Sequence, residues 1–236
     1  MPKRKNTSIN NIILINKDKN EAIVDYVVRC LEYNIVTMNI KPGVFISEQA
    51  VSDELKISRT PIREAFYRLE KSGFIEIYPQ VGTMISLIDI NLIDETSFMR
   101  MVLEKEIVKI VIENFTDSYY DKIKKNIDSY SKNIKSNNPY KLLEIDNKFH
   151  EMLFKIANKI NVYNWLKDYI KHFNRARVFN ILEMDRNRTL IEHRELLDSI
   201  KNQDVKKSMN IIEHHLTNVH NDLLFLEDKF PDYFKK

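Results

Sequence analysis

Residues 58–73 read SRTPIREAFYRLEKSG, and they carry the clearest information on how the first part of the chain folds. It predicts a short helix with a defined start and end. Ser58 or Thr60 can accept hydrogen bonds from the free backbone N–H groups of the first turn. Pro61 falls in that turn, where its missing donor is not needed, and Gly73 is the usual kind of residue to end a helix.

The two sides of this helix differ in chemistry. Arg59 and Arg63 are four residues apart, so both project from its N-terminal half. Residues 47–55 predict another short helix just upstream, joined by a tight connection. The apolar positions repeat at helical spacing: Ile62, Phe66 and Leu69. Two short helices with arginines at the start of the second indicate a helix-turn-helix, whose second helix enters the major groove of DNA.

The next residues predict a β-hairpin. Residues 74–78 alternate like a strand, residues 79–82 suit a turn, and residues 83–88 are apolar enough to return as a second strand. Such a hairpin beside a helix-turn-helix is a wing, and Gly82 at its tip would let the backbone approach a phosphate or the minor groove. An ordinary helical hairpin with a solvated charged face is the alternative for the two helices.

Two segments, 58–75 followed by VGT at 81–83, closely resemble the winged-helix domain of GntR-family transcription regulators. Residues 41–57 (KPGVFISEQAVSDELKI) fit the same family, and the resemblance covers about residues 20–88. It implies a double-stranded DNA operator as partner. The implied DNA-binding residues are Ser58, Arg59, Thr60, Arg63, Gln49 and Gly82. Gln49 is a departure, since some members carry an arginine in that helix.

Bulk charge says little about a nucleic-acid partner. The net charge is +3, and residues 1–88 hold 12 Lys and Arg against 10 Asp and Glu. The DNA-binding prediction therefore depends on where the arginines stand. Cys30 is the single cysteine, so no internal disulfide can form. No apolar run approaches the roughly 18–20 residues of a membrane span, and we expect a cytoplasmic protein with no membrane partner.

The prediction divides the chain into three parts. Residues 1–19 are expected to form a flexible arm, residues 20–88 the winged helix-turn-helix, and residues 89–236 an all-helical bundle. With three Gly and six Pro in the chain, the expected fold class is mainly α. Thr116 and Asp204 are predicted helix caps. The helices predicted in the last part span 90–115, 117–136, 139–158, 161–181, 185–202 and 205–229.

Polar side chains stand on the apolar face of the helix predicted over 139–158. The inward positions of that helix are Leu142, Asp146, His150, Leu153 and Ala157. His193 and His215 lie on or beside the inward stripes of the last two predicted helices. A tight turn near residues 203–204 joins these helices, about ten residues after the first histidine and about eleven before the second. Antiparallel packing would bring both histidines to one height, facing the carboxylate and the imidazole of the earlier helix.

Three imidazoles and one carboxylate suit a first-row divalent metal, such as zinc, nickel or manganese. A metal would also explain why polar groups point inward, where an unpartnered set is unfavourable. Each histidine alone is better explained as a core residue that hydrogen-bonds a neighbour, so the metal prediction rests on their joint placement. We expect His172, His214 and His220 to be surface or packing residues.

Three segments of the second domain resemble the ligand-sensing FCD domain of the FadR branch of GntR regulators. They are residues 146–161 (DNKFHEMLFKIANKIN), 192–204 (EHRELLDSIKNQD) and 209–216 (MNIIEHHL). The resemblance implies a metal with open positions for a small carboxylate effector. The implied metal ligands are Asp146, His150, His193 and His215.

Residues 98–104 (FMRMVLE) resemble the opening helix of that domain. Arg100 is thereby a candidate to bind the anion of the effector, or it pairs with Glu104 along the helix, and both interpretations stay open. Arg175 and Arg177 could line the same cavity, although a solvated position is expected for them.

We predict a homodimeric transcription regulator, acting as a repressor and not as an enzyme, whose helical domain senses a small carboxylate metabolite. One alternative is a helical metalloprotein or metalloenzyme with a mononuclear site of three histidines and one aspartate. His150 and Glu151 begin a His-Glu-x-x-His motif, but Phe154 occupies the place of its second histidine. Another alternative is a regulator that binds its effector without a metal.

Overall fold

The structure is a computed structural model that describes residues 12–136 and 138–236. Its internal contacts divide the chain into two units. The first unit runs to Asp89 and also includes Glu227–Lys236, and the second comprises Ile90–Leu226. No helix in the described part is both long enough and apolar enough to cross a lipid bilayer.

The first unit contains the predicted helix-turn-helix and hairpin. Its elements run in the order α1 (Ile23–Val36), β1 (Phe45–Ile46), α2 (Glu48–Leu55), α3 (Arg59–Lys71), β2 (Ile75–Tyr78) and β3 (Gly82–Ile85). Helices α2 and α3 are the predicted motif, and β2 and β3 form the predicted wing. The predicted mainly-α architecture with a small β wing is confirmed.

Helix α3 buries one face and leaves the arginines on the other. Its stripe packs inward, with at most 2% of each side chain exposed: Ile62, Phe66 and Leu69. Ser58 is the N-cap residue, but its side chain accepts no capping hydrogen bond. Gly73 follows the helix with φ = +76°, a conformation that favours glycine. Because α3 packs on α1 through its apolar face, Arg59 and Arg63 remain exposed.

The wing includes a strand that the sequence did not indicate. Strand β3 lies between β1 and β2 and is antiparallel to both. Strand β1 has only two residues, too few for alternating hydrophobicity to be recognised. Gly82 begins β3 with φ = +143°, and a Cβ atom there would lie 3.3 Å from the Phe45 ring. Backbone conformation and close strand packing therefore both favour glycine at this position.

The segment around Ile13 is held against α1, which corrects the prediction of a flexible arm over residues 1–19. The Asn34 amide accepts a hydrogen bond from the Ile13 N–H at 2.8 Å and donates one to the Ile13 carbonyl at 3.0 Å. Ile12 is buried. A buried amide that satisfies both backbone groups of one residue fixes the chain there, and hydrophobic periodicity does not reveal it. Residues 1–11 of the predicted arm lie outside the described residues.

The second unit is helical throughout its described elements. They are α4 (Ile90–Glu113), α5 (Asp117–Asn133), α6 (Pro139–Ile156), α7 (Ile160–Tyr169), α8 (Lys171–Glu183), α9 (Asn187–Lys201) and α10 (Val205–Lys229), the last of which ends in the first unit. Two predicted caps are confirmed. Thr116 accepts from the Tyr119 N–H at 3.4 Å, and Asp204 accepts from the Lys207 N–H at 2.9 Å.

The single helix predicted over residues 161–181 is two helices, α7 and α8, separated at Ile170. Neither Gly nor Pro marks the break in the sequence. Ile170 leaves helical geometry with φ −84° and ψ 8°, and its side chain is buried. Since α8 packs against both α4 and α6, tertiary packing redirects the chain where its local pattern would continue the helix.

The last ten residues belong to the first unit, which corrects their assignment to the helical domain. Ile88 and Phe234 form a parallel β-bridge. The Ile88 N–H donates to the Tyr233 carbonyl at 2.8 Å, and the Lys235 N–H donates to the Ile88 carbonyl at 2.9 Å. Phe234 is 2% exposed. Burial of this aromatic ring and pairing of the backbone explain why the segment returns to the first unit.

Candidate metal centre and nucleic-acid interface

Helix α6 carries Asp146 and His150 on the face that it buries. The two residues are four apart, and both are at most 4% exposed. Leu142 and Leu153, on the same stripe, are fully buried. A helix that buries such a stripe must bury its polar members too, so the carboxylate and the imidazole need partners inside the protein.

The structure brings all four predicted ligands together. Asp146 and His150 meet His193 of α9 and His215 of α10, and one candidate ligand atom from each lies within 4.8 Å of the others. His193 Nε2 is 3.1 Å from Asp146 Oδ1, and His150 Nε2 is 3.3 Å from His215 Nε2. Three helices thus converge on one point with nitrogen and oxygen donors, a set that suits zinc, nickel or manganese.

Two glutamates that the sequence interpretation did not assign as partners orient two of the imidazoles. His150 Nδ1 donates to Glu104 of α4 at 2.5 Å, and His215 Nδ1 donates to Glu192 of α9 at 2.6 Å. A neutral imidazole that donates through Nδ1 carries its lone pair on Nε2. Histidines that bind metals usually donate their other ring N–H to such a carboxylate. Glu192 directly precedes the predicted ligand His193, and this adjacency is the one signal in the sequence that could have identified the glutamate as a partner.

Burial and charge keep His150 and His193 neutral and Glu104 ionised. Burial lowers the pKa of His150 to about 4, although Glu104 opposes this. Burial, assisted by the other two histidines, lowers the pKa of His193 well below its usual value. Burial acts to raise the pKa of Glu104, but Arg100 and His150 outweigh it and lower that pKa to about 2. At neutral pH the rings of His150 and His193 therefore carry lone pairs that can bind a metal.

Two buried polar atoms of the cluster have no hydrogen bond among the described residues. They are Asp146 Oδ1 and His193 Nε2, which lie 3.1 Å apart but do not meet the geometry of a hydrogen bond. The His193 ring is stacked on Phe149, with 3.7 Å between centroids and 6° between planes, so it is fixed in orientation. Buried polar atoms without partners are rare and call for an ion, a water or a ligand. The donor set and these two atoms fit a divalent metal.

Three arginines are buried in the second unit. Arg175 and Arg177 are 1% and 7% exposed, which corrects the expectation that they are solvated. The Arg177 guanidinium contacts the Asp146 carboxylate. Arg100 is also buried and pairs with Glu104 at 2.8 Å, the pairing that the sequence left open. Ion pairs with Asp146 and Glu104 explain why Arg177 and Arg100 are buried, a position that helical periodicity does not predict.

A cavity of ≈ 50 Å³ adjoins the cluster. Its lining includes Arg100, Arg177, Asp146 and His215, together with Arg188 of α9. Arg188 forms an ion pair with Asp222 of α10. The cavity therefore joins candidate metal ligands to several guanidinium groups, which is the chemistry that binds a small carboxylate.

The residues predicted to contact DNA are all exposed in the first unit: Ser58, Arg59, Thr60, Arg63, Gln49 and Gly82. The Arg63 side chain is 74% exposed and lies 3.3 Å from Glu48, a loose surface pair. Gln49 donates to Asp53 at 2.6 Å along α2. The start of α3 thus presents two guanidinium groups and two hydroxyls outward, as base or phosphate contacts require.

Comparison with known proteins finds a family model that matches each of the two units. Residues 24–85 match the gntR family of bacterial regulatory proteins, and residues 95–218 match the FCD domain. The HTH-type transcriptional repressor RspR of Escherichia coli (strain K12) is 24% identical over 217 residues, which cover 92% of this chain and 95% of that protein.

Two solved structures share the fold. McbR/YncC of E. coli aligns with a TM-score of 0.66 and 15% identity, covering 89% of this chain and 98% of that one. A GntR transcriptional regulator from Rhodococcus sp. RHA1 aligns with a TM-score of 0.68 and 19% identity, covering 86% and 97%. At these identities, structural similarity establishes the fold alone.

Proposed function

Because the chain belongs to the GntR family of bacterial regulators and carries an FCD domain, it is a DNA-binding transcription regulator, and we propose that it is a homodimeric repressor controlled by a small carboxylate through a bound divalent metal. Its families and relatives are transcription regulators and not enzymes. The observation that carries the finer proposal is the convergence of Asp146, His150, His193 and His215 within 4.8 Å.

The four converging residues would hold the metal. Glu104 and Glu192 fix the ring protons of His150 and His215 on Nδ1, so Nε2 of each is available. Asp146 would supply the single negative charge of the ligand set. When bound, the metal would supply a Lewis acid to which a carboxylate oxygen of an effector can bind. The set does not distinguish zinc, nickel and manganese, since affinity order alone does not decide occupancy.

The effector carboxylate would bind in the cavity that adjoins the metal site. Arg100, Arg177 and Arg188 line this cavity. Arg100 is the effector-binding residue of the proposal, and its pair with Glu104 holds the guanidinium at the cavity wall. A planar guanidinium binds a carboxylate through two parallel hydrogen bonds. This interaction is stronger in a partly buried cavity than at a surface exposed to water.

DNA would be read by the exposed start of α3. Arg59 and Arg63 would reach base edges or phosphates of the major groove, and Ser58 and Thr60 would contact phosphates. Gln49 of α2 and Gly82 of the wing would make the flanking contacts. Support comes from the exposure of all six positions on one unit that matches the gntR family.

A homodimer would bind two half-sites of a roughly palindromic operator. Support comes from α4, where Phe98 and Val102, four residues apart, are 63% and 47% exposed. Large apolar side chains side by side on a helix surface favour an interface with another chain. Repression is proposed on the likeness to RspR, whose name describes a repressor.

One observation favours a second candidate, a regulator that binds its effector without a metal. Arg177 contacts Asp146 directly, so a side-chain cation already balances the carboxylate. In that case the three imidazoles would form hydrogen bonds with the effector itself. This candidate leaves the DNA-binding half of the proposal unchanged.

Metal analysis of the purified protein tests the proposal. After incubation with Zn²⁺, Ni²⁺ or Mn²⁺ in turn and removal of free ion, we expect about one tightly bound ion per chain by mass spectrometry for at least one metal. His193→Ala removes a ligand, so the affinity of this variant for the metal ion, measured by titration calorimetry, should fall strongly. The fall should exceed the roughly 10–100-fold that is typical when only a hydrogen-bond partner of a ligand is lost.

His214→Ala is the matched control for this test. His214 adjoins His215 in the sequence, but its side chain is 72% exposed, so its removal should leave metal occupancy unchanged. If the wild-type chain binds none of the three ions, the metal part of the proposal is wrong and the metal-free candidate takes its place.

A further inference from the structure

The two helices that leave the metal cluster toward the first unit end at the same place. Helix α4 carries Glu104, which holds His150, and it begins at Ile90, directly after Ile88 and Asp89. Helix α10 carries His215 and continues to Lys229, shortly before Phe234. The bridge between Ile88 and Phe234 therefore joins the chain just before α4 to the chain just after α10.

We call this joint the clip and define it as Ile88 and Asp89 with Tyr233, Phe234 and Lys235. Two backbone hydrogen bonds of 2.8 and 2.9 Å hold it, and the Lys235 ammonium lies 3.1 Å from the Asp89 carboxylate. Ile88 and Phe234 are 3% and 2% exposed. The clip is thus buried and hydrogen-bonded like a structural contact. Residues near a chain terminus are ordered only when contacts of this kind anchor them.

The clip also adjoins the wing. Ile88 lies three residues after the end of β3, and the turn before β1 packs on the same segment. A Cβ atom added to Gly43 in that turn would lie 3.4 Å from Leu87 and 3.6 Å from the Asp232 carbonyl oxygen. The outer strand β1 and the central strand β3 are therefore both tied to the residues that surround the clip.

Within the second unit, α4 and α10 are held side by side. Ser97 donates to the Leu216 carbonyl at 3.0 Å, and Lys105 pairs with Glu213 at 2.6 Å. Glu213 is two residues from His215. A ligand that draws His150 and His215 together acts on both helices through Glu104 and through α10 itself. A small shift of packed helices is a common form of allosteric change.

We propose that the clip transmits the state of the metal cluster to the winged unit, with α4 and α10 as its two inputs. This inference rests on the proposed function. A ligand shifts the equilibrium between two conformations of a protein only if it binds them with different affinities. The clip must therefore differ between the metal-free and the metal-bound protein. Breaking the clip should then separate metal binding from operator binding while both remain intact.

The first test follows the clip directly in the full-length chain by hydrogen exchange. Metal binding should change the exchange of peptides that contain the Ile88 and Lys235 amides. The probe is Zn²⁺, Ni²⁺ or Mn²⁺ added alone, with the metal-free protein as reference. Unchanged exchange in both segments, in a protein that binds the metal, would overturn the proposal.

The second test measures operator affinity with and without the metal, using a duplex selected from a random library. In the wild type we expect the metal to change the affinity by about fivefold or more, a usual size of allosteric coupling. Phe234→Ala empties the buried position of the clip, and the ratio of the two affinities should fall to within about twofold of one, a twofold change being only ~0.4 kcal/mol. The variant should still bind its metal and, in the metal-free form, the operator.

Two further variants separate transmission from folding. Lys235→Glu keeps Phe234 but places a like charge opposite Asp89, and it should also lower the ratio. Asp232→Ala changes an exposed side chain in the same segment and should keep the wild-type ratio. The proposal would be overturned if both clip variants kept the wild-type ratio, or if the metal did not change the operator affinity of the wild type. Failure to bind metal or to select any operator would instead remove the proposed function, on which the clip depends.

Discussion

At the scale of single residues, the chemistry of the metal cluster depends on neighbours that are not ligands. Glu104 and Glu192 decide which nitrogen of His150 and His215 faces the centre. The stacking of His193 on Phe149 fixes the third ring. Orientation of this kind lowers the entropy lost on metal binding, because the side chains are already placed.

At the DNA face, we expect Arg63→Ala to weaken operator binding by roughly 1–3 kcal/mol, because one base or phosphate contact is lost. The fold should not suffer, since the side chain is 74% exposed and its pair with Glu48 is a loose surface contact. Fluorescence anisotropy on the selected duplex measures the change.

Lys71→Ala is the control for this variant, with the same change in charge near the other end of α3. Lys71 lies over the Tyr67 ring, 4.6 Å from its centroid, and should contribute little to operator affinity. Equal affinities of Arg63→Ala and the wild type would show that this arginine does not bind DNA.

At the scale of helices and strands, local signals placed most boundaries. Side-chain caps at Thr116 and Asp204, and Pro139 in the first turn of α6, mark helix starts that coincide with the predictions. The break at Ile170 has no such signal, and β1 is too short to carry one. Elements defined by their own caps were therefore predictable, and elements defined by what they pack against were not.

Helix α5 offers a test of this distinction. Thr116→Ala removes the hydroxyl that accepts the Tyr119 N–H, and we expect a loss of about 1 kcal/mol in the free energy of unfolding. Urea unfolding followed by circular dichroism measures it. Ser118→Ala, at an exposed position in the same turn, should change stability much less. Equal stability of the two variants would mean that the hydroxyl does not stabilise the helix.

At the scale of the whole molecule, the candidate site exists only because several helices converge. Asp146 and His150 come from α6, His193 from α9 and His215 from α10, while α4 supplies the carboxylate of Glu104. Each helix contributes one or two residues to a cluster that none of them could form alone. Metal binding should accordingly stabilise the packing of the entire second unit.

The proposed homodimer is tested at the same scale. Phe98→Asp places a charge on the exposed apolar face of α4, and we expect the dimer to dissociate into monomers in sedimentation equilibrium because burying an unpaired carboxylate is unfavourable. Operator affinity should fall in parallel, since two half-sites need two linked chains.

Ile191→Asp introduces the same charge at an exposed apolar residue of α9, 52% exposed, and should leave the dimer intact. A wild-type protein that sediments as a monomer at micromolar concentration would contradict the prediction. So would a Phe98→Asp variant that remains a dimer.

Three features follow from the amino-acid sequence alone: the winged helix-turn-helix, the helical nature of the second unit and the identity of the four converging residues. Each of these is encoded in a spacing of three or four residues, in a cap or in a short motif, because helix geometry repeats over that distance. The exposure of Arg59 and Arg63 at the start of α3 was predictable for the same reason, because the apolar stripe on the opposite face of the helix has to be buried.

The partners of the candidate ligands and the packing of the C-terminal segment depend on how the complete helices and strands come together. Glu104 and His150 are 46 residues apart, Glu192 and His215 are 23 apart, and Ile88 pairs with Phe234 across most of the chain. The buried positions of Arg175 and Arg177 likewise depend on the helices around them. Such contacts arise from the packing of complete elements, and no periodicity within one element specifies its partner.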